Sequence, residues 1–227
     1  MALRIAINGF GRIGRNILRA LYENPRYERS IDIIAINDLA NFEAMAHLTE
    51  FDSTHGRFGR PVALQGDQLC IDGDQIQLLS IANPAALPWQ ALAIDVVLEC
   101  SGVLLTRAQA EQHLQAGAGR VLVSAPGKNL DATLVYGVNE QMLKPEHRLI
   151  SNASCTTNCL APLCQTLDAA WGIESGLMTT IHAYTSDQRL ADALQDDLYR
   201  ARAAAQSMIP TKTGAAAAIG EVLPQLA

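Results

Sequence analysis

Cys155 stands where a polar, hydroxyl-rich turn runs into an amphipathic stretch, Ser151-Asn152-Ala153-Ser154-Cys155-Thr156-Thr157-Asn158-Cys159. A thiol placed there can act as a nucleophile. Beyond it, Leu160, Leu163, Cys164, Leu167 and Trp171 recur at i, i+3, i+4, i+7 and i+11, which predicts a helix with a buried apolar face. Ser154 then takes the N-cap position and Cys155 the first turn. Unpaired N–H groups and the positive end of the helix dipole favour a thiolate there and offer donors to an oxyanion. A second reactive type follows in Gly176–Thr185, whose alternating residues predict a strand that delivers His182 at its end. An imidazole beside the thiol could take its proton and later return one. The plainer alternatives, a buried structural cysteine and a histidine that serves only local packing, are left open by these residues alone.

Chemistry of this kind needs a frame, and the first half of the chain supplies one. Leu3–Ile7 is a short apolar run that leads through Asn8-Gly9-Phe10-Gly11-Arg12-Ile13-Gly14 into Ile17, Leu18 and Leu21 at helical spacing. This reads as strand, glycine turn and helix. In Gly9-x-Gly11-x-x-Gly14 the first glycine permits the turn, the second admits a pyrophosphate close to the backbone, and the third lets helix and strand pack closely. The diphosphate would rest on the helix N-terminus. A second strand, Ile31–Ile36, ends in Asn37-Asp38, where a carboxylate is placed to bind adenosine ribose hydroxyls and to repel a 2′-phosphate, so NAD is expected rather than NADP. Capping a turn is the other use Asp38 could have. Strands at Ile94–Cys100 and Arg120–Ser124 flank a helix from Thr106 to Ala116, a succession that predicts a parallel sheet. Ligands gather beyond the carboxyl ends of such strands, where Gly9, Asp38, Ser101 and Ser124 all fall. Asp67–Leu79 reads as an inserted hairpin turning at Asp72-Gly73-Asp74, and Phe51–Phe58 as a polar loop.

Composition limits the function classes. At 227 residues and 49% hydrophobic content the chain can bury a substantial core in one or two domains. A formal charge of −6 with scattered Lys and Arg gives no footprint for nucleic acid. The opening residues lack the regions of a signal peptide, and no apolar stretch is long enough to span a bilayer, so a membrane partner is not expected. Five cysteines, an odd number without a secreted context, point to free thiols in a cytoplasmic compartment. Cys155 and Cys159 lie one helical turn apart, but no second ligand pair follows at zinc spacing, so no metal site is expected.

The sequence closely resembles the phosphorylating glyceraldehyde-3-phosphate dehydrogenases. The resemblance runs from residue 3 to residue 227 and is carried by Asn8–Gly14, Ser151–Cys159, His182-Ala183-Tyr184-Thr185, Asp187-Gln188 and Ile209-Pro210-Thr211-Lys212-Thr213-Gly214. It implies an α/β fold: a Rossmann-type NAD-binding domain over residues 1–150, then an α+β catalytic domain over 151–227 with a mixed or antiparallel sheet that is incomplete here. It implies Cys155 as nucleophile and His182 as base and oxyanion partner, with Gly9, Gly11, Arg12, Ile13, Gly14, Asp38 and Ser124 holding NAD. Ser154, Thr156, Arg200, Thr213 and Gly214 would hold the attacking inorganic phosphate, and Thr185 the phosphate of the aldehyde substrate. A cytoplasmic homotetramer is implied for the complete enzyme. Tyr199 stands where the family's basic run has another arginine. Ala193-Leu194 and Ala82 also depart from common NAD-type residues. Family members are longer than this chain, which therefore reads as a fragment. Erythrose-4-phosphate dehydrogenase shares the cysteine motif, and Thr185 favours the glyceraldehyde enzyme over it. Two further classes are a nucleotide-binding module without catalysis and a redox sensor using Cys155 and Cys159.

Overall fold

The computed structural model describes residues 2–27 and 30–227. Its chain divides into two compact units, Met1–Ser154 and Cys155–Ala227. In the first, β1 (Leu3–Asn8), α1 (Arg12–Glu23), β2 (Ile31–Asn37) and α2 (Phe42–Glu50) lead to a two-stranded ribbon of β3 (Phe51–Asp52) and β4 (Gly56–Arg57). Next come β5 (Val62–Gln65), β6 (Gln68–Ile71), β7 (Asp74–Leu79), β8 (Val96–Glu99), α3 (Arg107–Gln115), β9 (Arg120–Val123), β10 (Ala132–Thr133) and β11 (Leu149–Ser151). The main sheet runs in the order β10-β11-β9-β8-β1-β2-β7-β6-β5. All neighbours from β10 to β7 are parallel, and only the β7-β6-β5 end is antiparallel. The α/β, Rossmann-type reading of the sequence therefore holds.

Alternation along β1 explains why the sheet is covered on both faces. Ile5 and Ile7 point into a cluster with Leu18, Ile36, Phe58 and Leu78, while Ala6 points the other way, with Ala35, Trp89 and Val97. The small residues on that second face leave room for the fully buried Trp89. Each large side chain so buried contributes about 1.5–3 kcal/mol. The expected hairpin forms between β6 and β7, with Asp72 at φ 52° and Gly73 at φ 95°, the two positive values of a type I′ turn. The sequence pattern did not show that β7 also pairs in parallel with β2 and so extends the main sheet. The polar loop expected at Phe51–Phe58 closes into the β3–β4 ribbon, with Asp52 accepting the Thr54 and His55 N–H groups, both at 2.9 Å.

The second unit consists of α4 (Cys155–Trp171), α5 (Ala215–Val222) and a long segment between them. Two expectations are corrected here. Gly176–Thr185 forms no strand, because no other described segment lies alongside it to complete a ladder; the one bridge in this region joins Arg189 and Ala203. The helix is present, but its buried side is not the predicted one. Thr157 and Ala161 are buried, whereas Leu163, Leu167 and Trp171 are exposed. Helix α4 packs against α5, whose Ala215, Ile219 and Val222 are buried, and the covered side of α4 is the narrow, small-residue one. No described helix is long and apolar enough to cross a membrane.

Candidate active site

Helix α4 begins at Cys155, which places the thiol at the positive end of the dipole with Ser154 in the flanking cap position. The turn before it is held by groups the sequence reading passed over. Ser151 is fully buried; its Oγ donates to the Ala125 carbonyl (2.9 Å) and accepts from the N–H groups of Gly127 (3.0 Å) and Ala153 (3.1 Å). Ala153 is buried with φ 56°, a left-handed conformation that costs a non-glycine residue free energy and persists only where its surroundings impose it. A small residue between Asn152 and Ser154 was the only trace of this in the sequence.

Cys155 Sγ lies 3.3 Å from His182 Nε2. The other ring nitrogen, Nδ1, donates to the Ala183 carbonyl at 2.6 Å, which leaves Nε2 facing the thiol as proton acceptor. Partial burial pushes the Cys155 thiol up. The bond with His182, the Thr156 hydroxyl 4.0 Å away, the imidazole charge and the Thr156 N–H outweigh that and leave it below its ordinary value. His182 is raised, first by its bond to the Ala183 carbonyl and then by its bond to Cys155, with burial opposing. Both shifts run toward thiolate and imidazolium, the pair in which the sulfur adds to a carbonyl and a proton is ready for the resulting oxyanion.

Around this pair a cavity of about 680 Å³ is lined by Cys155, Thr156, His182, Thr185, Arg200 and Thr213, and by Asp187, Gln188, Thr211 and Lys212, to which the sequence reading gave no role. Although His182 does not sit on a strand, six of the expected residues therefore meet. Arg200 is already engaged, at 2.5 Å from Asp187 and through Nε to Thr211 Oγ1 at 3.0 Å. Lys212, quoted in the motif only as a neighbour, adds a second cation to the wall. Thr185 donates from its backbone and hydroxyl to Gln188 Oε1, at 2.8 and 3.1 Å. Thr213 Oγ1 accepts from Ala215 N–H at 3.2 Å, and Gly214 is the N-cap of α5 rather than a lining residue. Cys159 is exposed and lines an adjoining cavity of about 340 Å³.

In the first unit the glycine turn suits a diphosphate. No side chain caps α1 at Gly11, and a Cβ built there would meet nothing within 4 Å, so the space over the first-turn N–H groups of Arg12 and Ile13 is open. Gly14 lies tight under the turn, where a Cβ would be 2.4 Å from the Gly9 carbonyl oxygen. Asp38 accepts from the Phe10 N–H at 2.6 Å and the Ala40 N–H at 2.9 Å, and keeps acceptor capacity for ribose hydroxyls. The Arg12 guanidinium is held by Asp52 at 2.9 Å. Ile13 and Leu39, next to Asp38, expose apolar surface. Ser124 follows β9 and donates its N–H to the Glu99 carbonyl at 3.0 Å.

Comparison with known proteins finds matches along both parts of the chain. Residues 3–107 match the family model described as glyceraldehyde 3-phosphate dehydrogenase, NAD binding domain, and residues 154–227 match its C-terminal domain. Over all 227 residues the chain is 59% identical to the glyceraldehyde-3-phosphate dehydrogenase of Pseudomonas aeruginosa, covering 68% of that protein. It is 55% identical to the chromosomal enzyme of Cupriavidus necator and 56% identical to that of Xanthobacter flavus, covering 67% of each.

Proposed function

The chain belongs to the glyceraldehyde-3-phosphate dehydrogenase family, and from that membership we propose that it oxidises D-glyceraldehyde 3-phosphate to 1,3-bisphosphoglycerate with NAD and inorganic phosphate. The observation that carries the chemistry is the Cys155–His182 contact of 3.3 Å at the start of α4. Cys155 attacks the aldehyde carbon to give a thiohemiacetal, and His182 holds the proton that the developing oxygen anion needs. When bound, NAD supplies the acceptor for the hydride that leaves this carbon. The remaining thioester on Cys155 retains enough free energy for phosphate to displace the sulfur and form an acyl phosphate. His182 takes the hydroxyl proton of the thiohemiacetal as the hydride departs, and the freed thiolate is stabilised as before.

Gly9, Gly11, Arg12, Ile13 and Gly14 would hold the diphosphate, Asp38 the adenosine ribose and Ser124 the far end of the cofactor. Ser154, Thr156, Arg200, Thr213 and Gly214 are assigned to the attacking phosphate and Thr185 to the substrate's own, with Lys212 as a further cation on the same wall. Residues 1–150 would serve as the NAD-binding domain and 151–227 as the catalytic one. A cytoplasmic, glycolytic homotetramer is the assembly and setting proposed for the whole enzyme. The test is NADH formation from glyceraldehyde 3-phosphate and, separately, from erythrose 4-phosphate, each with and without phosphate. Faster turnover of the four-carbon sugar would reassign the substrate, and NAD binding without turnover of either would reduce the chain to a binding module.

A further inference from the structure

We propose that Glu99 is a positioning residue for the NAD site: two hydrogen-bond relays of fixed polarity converge on its carboxylate, and through Ser101 it holds the glycine turn in place. The inference rests on the assignment of NAD to that turn. Glu99, His113 and Trp89 are almost completely buried, Asn8 and Asn37 nearly so, and none of them has a place in the chemistry described above.

The first relay starts at Ile81. Its N–H donates to Asn37 Oδ1 (2.9 Å) and its carbonyl accepts from Asn37 Nδ2 (3.0 Å), so that amide cannot be turned over. Asn37 Nδ2 also donates to Asn8 Oδ1 (2.8 Å), which leaves Asn8 Nδ2 to donate to Glu99 Oε2 (2.6 Å). The second relay starts at the Trp89 indole, which can only donate. It does so to His113 Nδ1 (3.0 Å), so the ring proton sits on Nε2 and is given to Glu99 Oε2 (2.9 Å). On the other oxygen, Glu99 Oε1 accepts from the Ser101 N–H (2.8 Å) and the Ser101 hydroxyl (2.5 Å). All four partners present a proton, and three of them have no alternative.

Only a carboxylate satisfies such a site. An amide of the same shape must turn its NH₂ toward donors, and the cheaper direction is toward Ser101, whose hydroxyl can rotate to accept while its N–H cannot. Damage is therefore channelled to Ser101. That residue is the floor of the turn, since a Cβ on Gly9 would lie 2.4 Å from Ser101 N and 2.5 Å from its Cα. Any shift of Ser101 is passed to Gly9 and so to the diphosphate cradle.

The experiment compares wild type with Glu99→Gln. NAD affinity falls roughly tenfold or more, as for loss of one charge-assisted hydrogen bond, and the Ser101 amide exchanges its hydrogen faster. KM for NAD rises without a matching rise in KM for the aldehyde, and the alkylation rate of Cys155 is unchanged. A purely structural role would lower the melting temperature and leave the Kd of the folded protein alone, and a folded Glu99→Gln with wild-type Kd overturns the proposal. Should that variant not fold, Trp89→Phe serves instead, because it keeps a ring but frees His113 Nδ1 and ends the obligation of Nε2 to donate. Its Kd for NAD rises several-fold, and an unchanged value overturns the proposal equally. A wild-type chain that binds no NAD would refute the site assignment itself, whatever the variants do.

Discussion

Two glycines two residues apart should fail in different ways when given a methyl group. At Gly9, φ is +90°, and an added Cβ would lie 2.4–2.6 Å from backbone atoms of Ser101 and Cys100. The backbone conformation alone costs an alanine about 1–2 kcal/mol. Because the contacts are with main chain, no rotamer change relieves them, and the local shift adds about 1–3 kcal/mol. Gly9→Ala should therefore lose about 2–5 kcal/mol, a large share of the roughly 5–15 kcal/mol that holds a domain together. At Gly11, φ is −68° and the Cβ meets nothing, so Gly11→Ala should stay within about 1 kcal/mol of wild type. Its methyl group instead occupies the open cradle. Displacing the diphosphate from one helix N–H costs about 1.5–3 kcal/mol, a loss of roughly tenfold to a hundredfold in NAD affinity. Urea unfolding and calorimetric NAD titration of the two variants measure these effects separately. A Gly9→Ala protein as stable as wild type, or a Gly11→Ala protein that binds NAD normally, would refute the reasoning about this turn.

His182→Gln should move the pH profile of Cys155 alkylation upward, since the bond to the imidazole is the largest of the effects that hold the thiol below its ordinary value against burial, ahead of the Thr156 hydroxyl and N–H; an unmoved profile would mean that Thr156 and the helix start activate the thiol without the histidine. Cys100 is pushed up to about 11 by burial and by Glu99, against the Ser124 hydrogen bond, so iodoacetamide at neutral pH should label Cys155 first and Cys100 last by peptide mass spectrometry. Burial would raise Asp131, but Arg107 and the Leu149 and Arg148 N–H groups hold it down to about 2. The stability it contributes is full above its ordinary value of 3.8 and is lost as pH falls toward about 2. Asp131→Asn should therefore lower stability at neutral pH and flatten its fall across that acid interval, read from urea midpoints.

The glycine turn, the Asp38 strand and the Cys155 helix start were all legible because each is a local pattern with a local cause. The hairpin at Asp72-Gly73 was legible for the same reason, whereas the pairing of β7 with β2 depends on residues some 40 positions apart that no periodicity encodes. Helix α4 shows the limit most clearly. Its apolar spacing predicted a buried face of Leu160, Leu163 and Trp171, yet Thr157 and Ala161 are the residues covered, since burial is decided by what packs on a helix and the helix that packs on α4, α5, begins only at Ala215. The strand expected at Gly176–Thr185 needed a partner that the described residues do not supply, although His182 reaches Cys155 without it. Glu99 was read only as part of an apolar strand, because a buried carboxylate reveals itself through its donors, which come from β1, α3 and the turn at Ser101.

The most direct measurement is a single turnover with NAD and glyceraldehyde 3-phosphate but no inorganic phosphate, followed by peptide mass spectrometry. Acyl transfer through Cys155 predicts a burst of one NADH per active thiol and a matching acyl mass on the Cys155 peptide, which disappears as acyl phosphate when phosphate is added. A burst that leaves Cys155 unmodified, or one that persists in Cys155→Ala, would contradict nucleophilic catalysis by this thiol.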